Sequence, residues 1–227
     1  MKTLMAFALL APGLLHAQTL PGSSEIDDAR LVPATWIVSM TLSRAGVDIP
    51  VGTTKYELRR MPAGQWGYIT TTTTERGTAV DTSIARRNTL EPVSHRSHAV
   101  PRKLSLDYAG TTVTGTYTPS DSAPRRIERV TAVPTFDAAM LDIILGSLPL
   151  KAGYTTRLPM YIEEQRGLVW FDVVVSGETT VGATAGWDVQ VTMPNYAVNF
   201  VLARDDHRFL GGRVEYPNGA VLRMTRN

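Results

Sequence analysis

Hydrophobic residues recur with a period of two from residue 35 onward, and this spacing limits most of the chain to strands. In the first such run Trp36 and Met40 fall on one face, because successive side chains of a strand point in opposite directions. Alternating runs of this kind occupy 36–42, 103–108, 112–118, 187–193 and 196–202. The spacing therefore predicts half-buried strands along the chain.

Short stretches rich in glycine, proline and asparagine separate these runs, and most are short enough to connect strands as hairpins. Roughly twelve to fourteen strand candidates follow one another at spacings of about 8 to 12 residues, which is typical of a barrel or a sandwich. We predict an all-β fold with one short helix: an antiparallel meander that forms a β-barrel or curved half-barrel with a covering or plugging helix. Residues 34–227 are predicted to form a single β-rich domain, since no boundary divides them.

The stretch TFDAAMLDIILGSLPLKAGY is where the period changes to that of a helix. Thr135 or Asp137 can cap its start, and Gly146 and Pro149 provide the stop. Its apolar stripe consists of Met140, Leu141, Ile144, Leu145 and Leu148. A helix of about 10 residues is marginal in isolation. We therefore expect a helix over 135–148 whose apolar stripe is buried against the sheet.

The best partner for this helix is the strand at 168–175, LVWFDVVV, which is apolar on both faces apart from Asp172. A strand that is apolar on both faces is covered on both. We expect one face to meet the interior of the sheet and the helix to cover the other. Asp172 shares a face with Trp170, so its carboxylate is partly buried and needs a partner. An arginine from a neighbouring strand fits this role, and a ligand-facing carboxylate is the alternative.

A functional cavity beneath the helix is one interpretation of this arrangement, and a helix that only caps the core is the simpler one. The ligand-binding candidates are the residues expected to wall that cavity: Trp36, Met40, Leu141, Trp170 and Asp172. An apolar cavity of about 300 Å³ or more would indicate a binding function, whereas a filled interior would argue against it.

The first residues are typical of a targeting signal. A basic start at Lys2, an apolar run and the letters LHA before Gln18 predict a signal peptide, residues 1–17. The segment 18–33 is polar and rich in proline, glycine and serine, which predicts flexibility. No later segment reaches the roughly 20 apolar residues of a membrane-spanning helix, and the absence of cysteine argues against a lipid anchor or a disulfide. We predict a periplasmic or secreted protein that does not span the membrane.

The residues that usually carry catalysis or bind metal form no recognisable motif. His95 and His98 are three residues apart, which places them on opposite faces of a strand. Asp205, Asp206 and His207 can hold a cation or form an acid/base pair, but a polar hairpin turn explains them more simply. We predict no catalytic residues, no metal site and no cofactor, and hence a protein that is not an enzyme.

Basic residues occur in pairs, at Arg59/Arg60, Arg86/Arg87, Arg102/Lys103 and Arg125/Arg126. Clustered across neighbouring strands, such arginines can bind an anionic lipid headgroup or a surface polymer. Ordinary solubility and protection of strand edges are the simpler explanation. The formal net charge is only +2, and a concentrated basic face of the kind that binds nucleic acid is not evident. We therefore predict no nucleic-acid partner.

A helix followed by LPL and glycine, a GxE hairpin, a Gly-aromatic strand and a closing pair of strands follow one another in the C-terminal part. They occur in FDAAMLDIILGSLPLKAGY, LPMYIEEQRGLVWFDVVVSGETTV, GWDVQVTM and NFVLARDDHRFLGGRVEYPNGAVLRMT, within 136–225. In this order the motifs resemble those of an uncharacterised family of secreted bacterial domains of unknown function. The resemblance implies a periplasmic β-barrel-like or half-barrel architecture, distantly similar to the outer-membrane lipoprotein carriers, and it implies no catalytic residues.

Three functions stay open. The leading hypothesis is a periplasmic, non-catalytic binding or chaperone-like module that encloses an apolar or amphiphilic ligand, such as a lipid or acyl chain. The alternative is a structural or protein-interaction domain of the cell envelope, with an envelope protein as partner and an exposed apolar or arginine-rich patch. The third is an envelope hydrolase, which requires Asp172, Asp205 or His207 to converge in a cleft.

Overall fold

The computed structural model describes residues 17–99, 102–119 and 122–227, so the predicted signal peptide lies outside the described residues except for Ala17. Fifteen strands and one α-helix are found in this part of the chain. The strands are β1 Ala34–Arg44, β2 Val47–Met61, β3 Gln65–Thr74, β4 Gly77–Arg86, β5 Pro92–Ala99, β6 Arg102–Ala109, β7 Thr112–Thr118, β8 Arg125–Val130, β9 Phe136–Asp137, β10 Thr155–Ile162, β11 Gly167–Val181, β12 Thr184–Thr192, β13 Ala197–Ala203, β14 Phe209–Glu215 and β15 Val221–Arg226. The helices are α1 Leu141–Ser147 and the short 3-10 helices Asp28–Arg30, Pro62–Gly64, Ala138–Met140 and Glu163–Gln165.

All fifteen strands belong to one sheet, in which two meanders meet at the ends of the chain. The first meander runs outward from β1 to β8, and the second returns from β10 to β15. β1 and β15 pair in the middle of the sheet, with Val38 opposite Arg226. Every neighbouring pair is antiparallel except β9 and β10. The predicted antiparallel meander is therefore confirmed.

The sheet curls so that its β9–β10 end approaches strands of the first meander, without pairing with them in the described residues. Side chains bridge the seam instead. Arg125 of β8 binds Glu163, just beyond β10, at 2.6 Å, and the rings of Tyr108 and Tyr161 pack edge to face with centroids 5.9 Å apart. The fold is the curved half-barrel that the sequence predicts, with a seam joined by side chains rather than by backbone hydrogen bonds.

Glycine permits the curvature at two positions. A side chain at Gly52 would place its Cβ 2.2 Å from the carbonyl oxygen of Thr73, and one at Gly115 would place it 1.9 Å from that of Ser105. Gly52 also adjoins the bulge at which the pairing of β1 and β2 shifts its register. The neighbouring strands approach and bend at these points because no Cβ stands between them.

The helix is shorter than its pattern predicts, and it lies inside the half-barrel. Residues 136–137 are extended because they pair with β10, and a 3-10 turn over 138–140 follows, so α1 begins only at Leu141. Asp137 caps that turn by accepting a hydrogen bond from the backbone N–H of Ala139 at 3.1 Å. The buried part of the apolar stripe, at most 2% exposed, is Met140, Ile144, Leu145 and Leu148. The expectation that the stripe is buried is confirmed.

The helix does not cover the outer face of the strand at 168–175, and this part of the prediction is wrong. The alternate residues from Val169 to Val175 belong to the same core as α1, on the concave face of β11. Trp170 and Asp172 lie on the convex face and are half-buried. The reason is geometric: α1 fills the hollow of the curled sheet, so the interior of the sheet and the helix cover the same face.

The N-terminal segment 18–33, predicted to be flexible, packs across one end of the half-barrel. The backbone N–H of Thr19 donates to the backbone of β10 at 3.1 Å. Further along, Asp28 accepts a 2.7 Å hydrogen bond from the indole N–H of Trp66, and Ile26 joins the core. The polar composition of the segment reflects its turns, whereas burial of apolar side chains and of the Asp28 carboxylate anchors it.

Candidate ligand-binding site

A cavity of about 210 Å³ opens at the end of the half-barrel that the N-terminal segment and α1 close. We call it the end cavity. Its apolar wall includes Leu31, Trp36, Leu58, Ile143 and Phe209. Its polar lining includes Arg30, Asp142, His207, Arg208 and Arg226. Apolar walls with a few convergent polar groups are typical of small-molecule sites.

Of the five residues predicted to bind a ligand, only Trp36 lines the end cavity. Met40 lies further along the same strand, with its sulfur 4.0 Å from the hydroxyl of Thr54. Leu141 is partly buried and packs against the core. The volume is also below the roughly 300 Å³ at which known ligand pockets begin. The end cavity is thus smaller than the predicted one and is lined by different residues.

Trp170 and Asp172 lie together, but on the convex face. Arg157 of β10 binds Asp172, with Nε 2.8 Å from Oδ1, and its guanidinium lies 5.1 Å from the ring centroid of Trp170. The prediction that an arginine of a neighbouring strand pairs with Asp172 is confirmed. An open groove of about 560 Å³ passes over these residues. This groove shares no lining residue with the end cavity.

Three aromatic rings lead from the end cavity into the core. Trp36 and Tyr56 stack with centroids 5.3 Å apart, and Tyr68 follows at 6.0 Å from Tyr56. The hydroxyl of Tyr68 donates a hydrogen bond to Oδ2 of Asp142 at 2.5 Å. Burial raises the pKa of Asp142 to about 6, and the hydrogen bonds from Tyr68 and two backbone N–H groups offset that effect only in part. Asp142 is therefore an ionised acid beside an apolar wall at neutral pH.

We expect Asp142→Asn to reduce the pH dependence of stability between about pH 4 and pH 6. The carboxyl titrates near 3.8 when unfolded and near 6 in the fold. The folded protein binds the proton more tightly, so this group makes the wild-type protein less stable as pH rises through that window. The whole shift corresponds to about 3 kcal/mol, which partial access of water reduces to ~1–2 kcal/mol.

Urea unfolding at pH 4 and pH 7 measures this difference for the wild-type protein and the variant. The side chain of Asp205 is 95% exposed, and Asp205→Asn serves as the control that leaves the pH dependence unchanged. An Asp142→Asn variant with the wild-type pH dependence would contradict the assignment.

His207 lies just after the turn between β13 and β14 and closes the end cavity beside α1. Its backbone is left-handed, with φ of 52°. Nδ1 is 3.1 Å from the carbonyl oxygen of Gly146. Because a carbonyl only accepts, Nδ1 carries the hydrogen and Nε2 accepts from Nη1 of Arg30 at 3.3 Å. Burial and the neighbouring Arg30 lower the pKa of His207, which keeps the ring neutral. The predicted turn at 205–207 is confirmed.

Arginines form the polar rim of the end cavity, and two of the three have an acid beside them. Arg30 pairs with Asp27 at 3.2 Å, and Arg208 pairs with Asp206. All four side chains of these two pairs are more than 40% exposed. Exposed pairs of this kind contribute at most about 1 kcal/mol to stability, but they neutralise two of the three cations.

Arg226 is the third arginine of the rim, and no carboxylate of the described residues lies within 4.0 Å of it. Its guanidinium stands over Trp36, 5.4 Å from the ring centroid. Nη1 donates to the carbonyl oxygen of Phe209 at 3.1 Å. Burial and then the charge of Arg208 lower the pKa of Arg226. The guanidinium is thus held in place beside the cavity, and the charge of Asp206 acts on it without direct contact.

Ser83, His95 and Asp137 form a second polar cluster, buried where β9 meets β4 and β5; we call it the Asp137 cluster. Ser83 Oγ donates to Oδ2 of Asp137 at 2.6 Å, and Nδ1 of His95 lies 3.1 Å from the same oxygen. In a catalytic triad, serine and acid bind opposite ring nitrogens of the histidine. Here both contact Nδ1, so the cluster does not have the geometry of a triad.

The Asp137 cluster holds an ion pair. Burial acts to lower the pKa of His95, but the charge and hydrogen bond of Asp137 outweigh it and raise the pKa. Burial likewise acts to raise the pKa of Asp137, and His95 and Ser83 together bring it below its ordinary value. The cluster joins the β9 edge to the inner face of the first meander. His98, on the other face of β5, is exposed, as the three-residue spacing predicts.

The residues of the hydrolase hypothesis do not converge. Asp172 lies on the convex face beside Arg157. Asp205 is 95% exposed in the β13–β14 turn, and His207 is buried between that turn and α1. A shared cleft for these three side chains is not formed.

Sequence reasoning missed Asp142, Arg30 and Arg226. One signal was present for Asp142, which is the single acid in the apolar run MLDIIL, because an acid in such a run needs a partner when it is buried. No local signal marks the two arginines. Their positions depend on the pairing of β15 with β1 and on the path of the N-terminal segment.

A strongly curled antiparallel sheet, closed at one end by a helix and joined along its seam by side chains, defines a β-barrel-like protein with a small end cavity. The chain belongs to DUF3108, a family of proteins of unknown function, whose family model matches residues 38–217. The implied membership of a family of unknown function is thereby confirmed. The match also extends well into the N-terminal half, beyond the stretch that carried the resemblance.

The solved structures similar to this chain include three bacterial proteins. The β-barrel-like protein of the domain of unknown function DUF1849 from Brucella abortus is 16% identical with a TM-score of 0.53, covering 87% of this chain and 97% of that chain. A DUF1329 family protein from Desulfovibrio piger is 11% identical with a TM-score of 0.32, covering 88% and 86%. A LolA superfamily protein from Nitrosomonas europaea is 8% identical with a TM-score of 0.26, covering 92% of each chain.

The first of these structures supports the β-barrel-like fold. No curated protein matches the sequence. Among the described residues, none of the helices has the length and apolar character needed to cross a membrane.

Proposed function

We propose that this protein is a non-catalytic binding or chaperone-like module of the bacterial cell envelope, which holds the apolar part of a small amphiphile in its end cavity. The observation that carries this proposal is the composition of the cavity. Trp36, Leu58 and Ile143 supply apolar wall, while Asp142 and Arg226 supply polar groups of opposite sign. Sites for small molecules combine these two elements.

The volume of the end cavity limits what enters it. At roughly 30 Å³ for each water-sized group, about 210 Å³ holds about seven methylene groups. A lipid or acyl chain would insert the end of one chain and leave the remainder outside. Burial of about seven methylenes contributes about 5–6 kcal/mol, which corresponds to a Kd near 0.1 mM. Such weak, exchangeable binding suits a carrier or a chaperone.

The pairing of the acid and base groups supports a non-catalytic role. Both ring nitrogens of His207 are engaged, one with Gly146 and one with Arg30. In the Asp137 cluster the serine and the acid share one nitrogen of His95. A general base needs a free nitrogen directed at the proton it removes. His207 has none, and the second nitrogen of His95 faces the carboxylate of Asp81 at 3.8 Å inside the buried cluster.

The leader sequence supports a periplasmic or secreted location. Cleavage before Gln18 would remove the Ala17 carbonyl, which accepts a hydrogen bond from the backbone N–H of Arg157 at 2.9 Å. It would keep the 3.1 Å hydrogen bond from the backbone N–H of Thr19 to the carbonyl oxygen of Arg157. We expect the protein to be released by osmotic shock with Gln18 as its first residue. Intact-mass measurement checks this, and a released protein that retains residues 1–17 would contradict it.

Native mass spectrometry of protein purified from its own periplasm, followed by lipid extraction, tests the binding proposal. We expect a co-purifying small molecule with an apolar chain. Ala34 lines the end cavity and Thr35 is exposed on the opposite face of the same strand. Ala34→Leu should therefore lower the occupancy at least severalfold, while the matched control Thr35→Leu should retain it.

A wild-type protein that carries no small molecule and binds no single-chain amphiphile in vitro would overturn the proposal. That result would leave the structural or protein-interaction role in the envelope. Equal occupancy in Ala34→Leu and Thr35→Leu would place the ligand elsewhere than in the end cavity.

A further inference from the structure

One arginine at the rim of the end cavity has no acid in contact with it. Arg30 and Arg208 each form an ion pair with a neighbouring aspartate. Burial and the charge of Arg30 lower the pKa of His207, which keeps its ring neutral. Arg226 has no carboxylate within 4.0 Å among the described residues. The rim therefore presents one cation that no acid contacts, directly beside an apolar volume.

The position of Arg226 suits recognition of an anion. Its guanidinium carbon lies 5.4 Å from the centroid of the Trp36 ring, and Nη1 donates to the carbonyl oxygen of Phe209. A guanidinium has five N–H donors, so most of them have no acceptor among the described residues. A planar, pre-positioned fork of this kind matches the two oxygens of a carboxylate or phosphate.

The other side of the end cavity disfavours an anion. Asp142 lines it, and its carboxylate already accepts the hydrogen bond of Tyr68. A negative headgroup is repelled by Asp142 and attracted by Arg226, whereas an alkyl chain is tolerated along Leu58 and Ile143. This difference orients an amphiphile, with its head at Arg226 and its chain end in the apolar part of the cavity.

We infer that the ligand of the end cavity is a single-chain anionic amphiphile whose carboxylate or phosphate head binds Arg226. The inference rests on the proposed binding function and adds the charge of the head and the residue that recognises it. A cationic head would meet Arg226 with like charge, and an uncharged head would leave the guanidinium without a counterion.

Isothermal titration calorimetry of the mature chain at fixed ionic strength, with four probes that share an eight-carbon chain, tests this inference. The probes are nonanoate, octyl phosphate, 1-octanol and octyltrimethylammonium. We expect at least one of the two anions to bind tenfold or more tightly than 1-octanol, and the ammonium to bind least tightly. The ratio between nonanoate and octyl phosphate identifies which head the site prefers.

Variants of Arg226 assign the preference to this residue. Arg226→Gln should abolish the advantage of the anions over 1-octanol, and Arg226→Lys should restore part of it by returning the charge. Arg213 is exposed on β14, pairs with Glu215 at 2.6 Å and lies outside the end cavity. Arg213→Gln is the matched control, with binding within twofold of wild type. Circular dichroism shows whether each variant folds, and the probe series on the wild-type chain does not depend on them.

The outcomes separate the two proposals. Binding of 1-octanol that is equal to or tighter than that of both anions would overturn the anionic head and leave the binding function in place. An anion preference that Arg226→Gln keeps would overturn the role of Arg226. Binding of none of the four probes would overturn the proposed function and this inference together.

Discussion

Asp137→Ala is expected to lower the free energy of unfolding by about 3–5 kcal/mol, which is the usual cost of removing one partner of a buried ion pair. Asp137 is 5% exposed. The substitution removes the acceptor of the Ser83 hydroxyl, the counterion of His95 and the cap of the 3-10 turn at Ala139. His95 would then be buried with only the more distant Asp81, whose Oδ1 lies 3.8 Å from Nε2. Urea unfolding at pH 5.5 measures the loss.

The effect of Asp137→Ala also has a defined pH dependence. The pKa of His95 is raised above 6.5, so its contribution is complete below that value and is lost as pH rises through the folded pKa. The pKa of Asp137 is lowered below 3.8, so its contribution is complete above that value and is lost as pH falls through the folded pKa. The difference between wild type and variant should therefore be largest between about pH 4 and pH 6.5.

Asp172→Ala is the control for this experiment. Asp172 also pairs with a base, Arg157, but its side chain is 45% exposed, and an exposed pair contributes at most about 1 kcal/mol. If Asp137→Ala cost no more than Asp172→Ala, the Asp137 cluster would not be what joins the β9 edge to the first meander.

Leu145→Ala is expected to lower the free energy of unfolding by about 2–5 kcal/mol, the range for a fully buried leucine that leaves a cavity. Leu145 is 0% exposed and lies on the face of α1 that fills the hollow of the sheet. Leu141 is only partly buried on the same helix, and we expect Leu141→Ala to cost less than half as much. Chemical unfolding of both variants measures the ratio.

Equal losses for the two leucines would show that α1 does not present Leu145 to the core. The comparison is informative because both substitutions remove the same atoms from one helix. The burial of the two side chains is the main difference between them.

Much of the fold was predictable because a strand produces a local pattern in the sequence, the alternation of buried and exposed residues. Val38 and Trp36 alternate with exposed neighbours in β1, and this alternation is a property of the extended backbone itself. The burial of Ile144 and Leu145 followed in the same way, since a short amphipathic helix is stable only when its stripe is covered. Such patterns need no knowledge of which elements meet.

The site was less predictable because its residues come together from distant parts of the chain. Arg226 reaches Trp36 through the pairing of the last strand with the first. Arg30 reaches His207 only because the N-terminal segment crosses the end of the half-barrel. The candidates Trp170 and Met40 were chosen by their apolar character, which is equally compatible with the convex face or with another part of the interior.

The sequence by itself determined that the chain forms an antiparallel sheet, whose strands alternate apolar and polar side chains, and one short helix that must be buried. Alternation along a strand and the spacing of apolar residues along a helix indicate which side chains are buried. Both patterns are formed by residues that are near one another in the sequence. Only the tertiary structure decided that α1 lies on the concave face, that the seam is joined by side chains, and that Asp142 and Arg226 face one cavity. These features depend on contacts between residues far apart along the chain, and no local pattern specifies them.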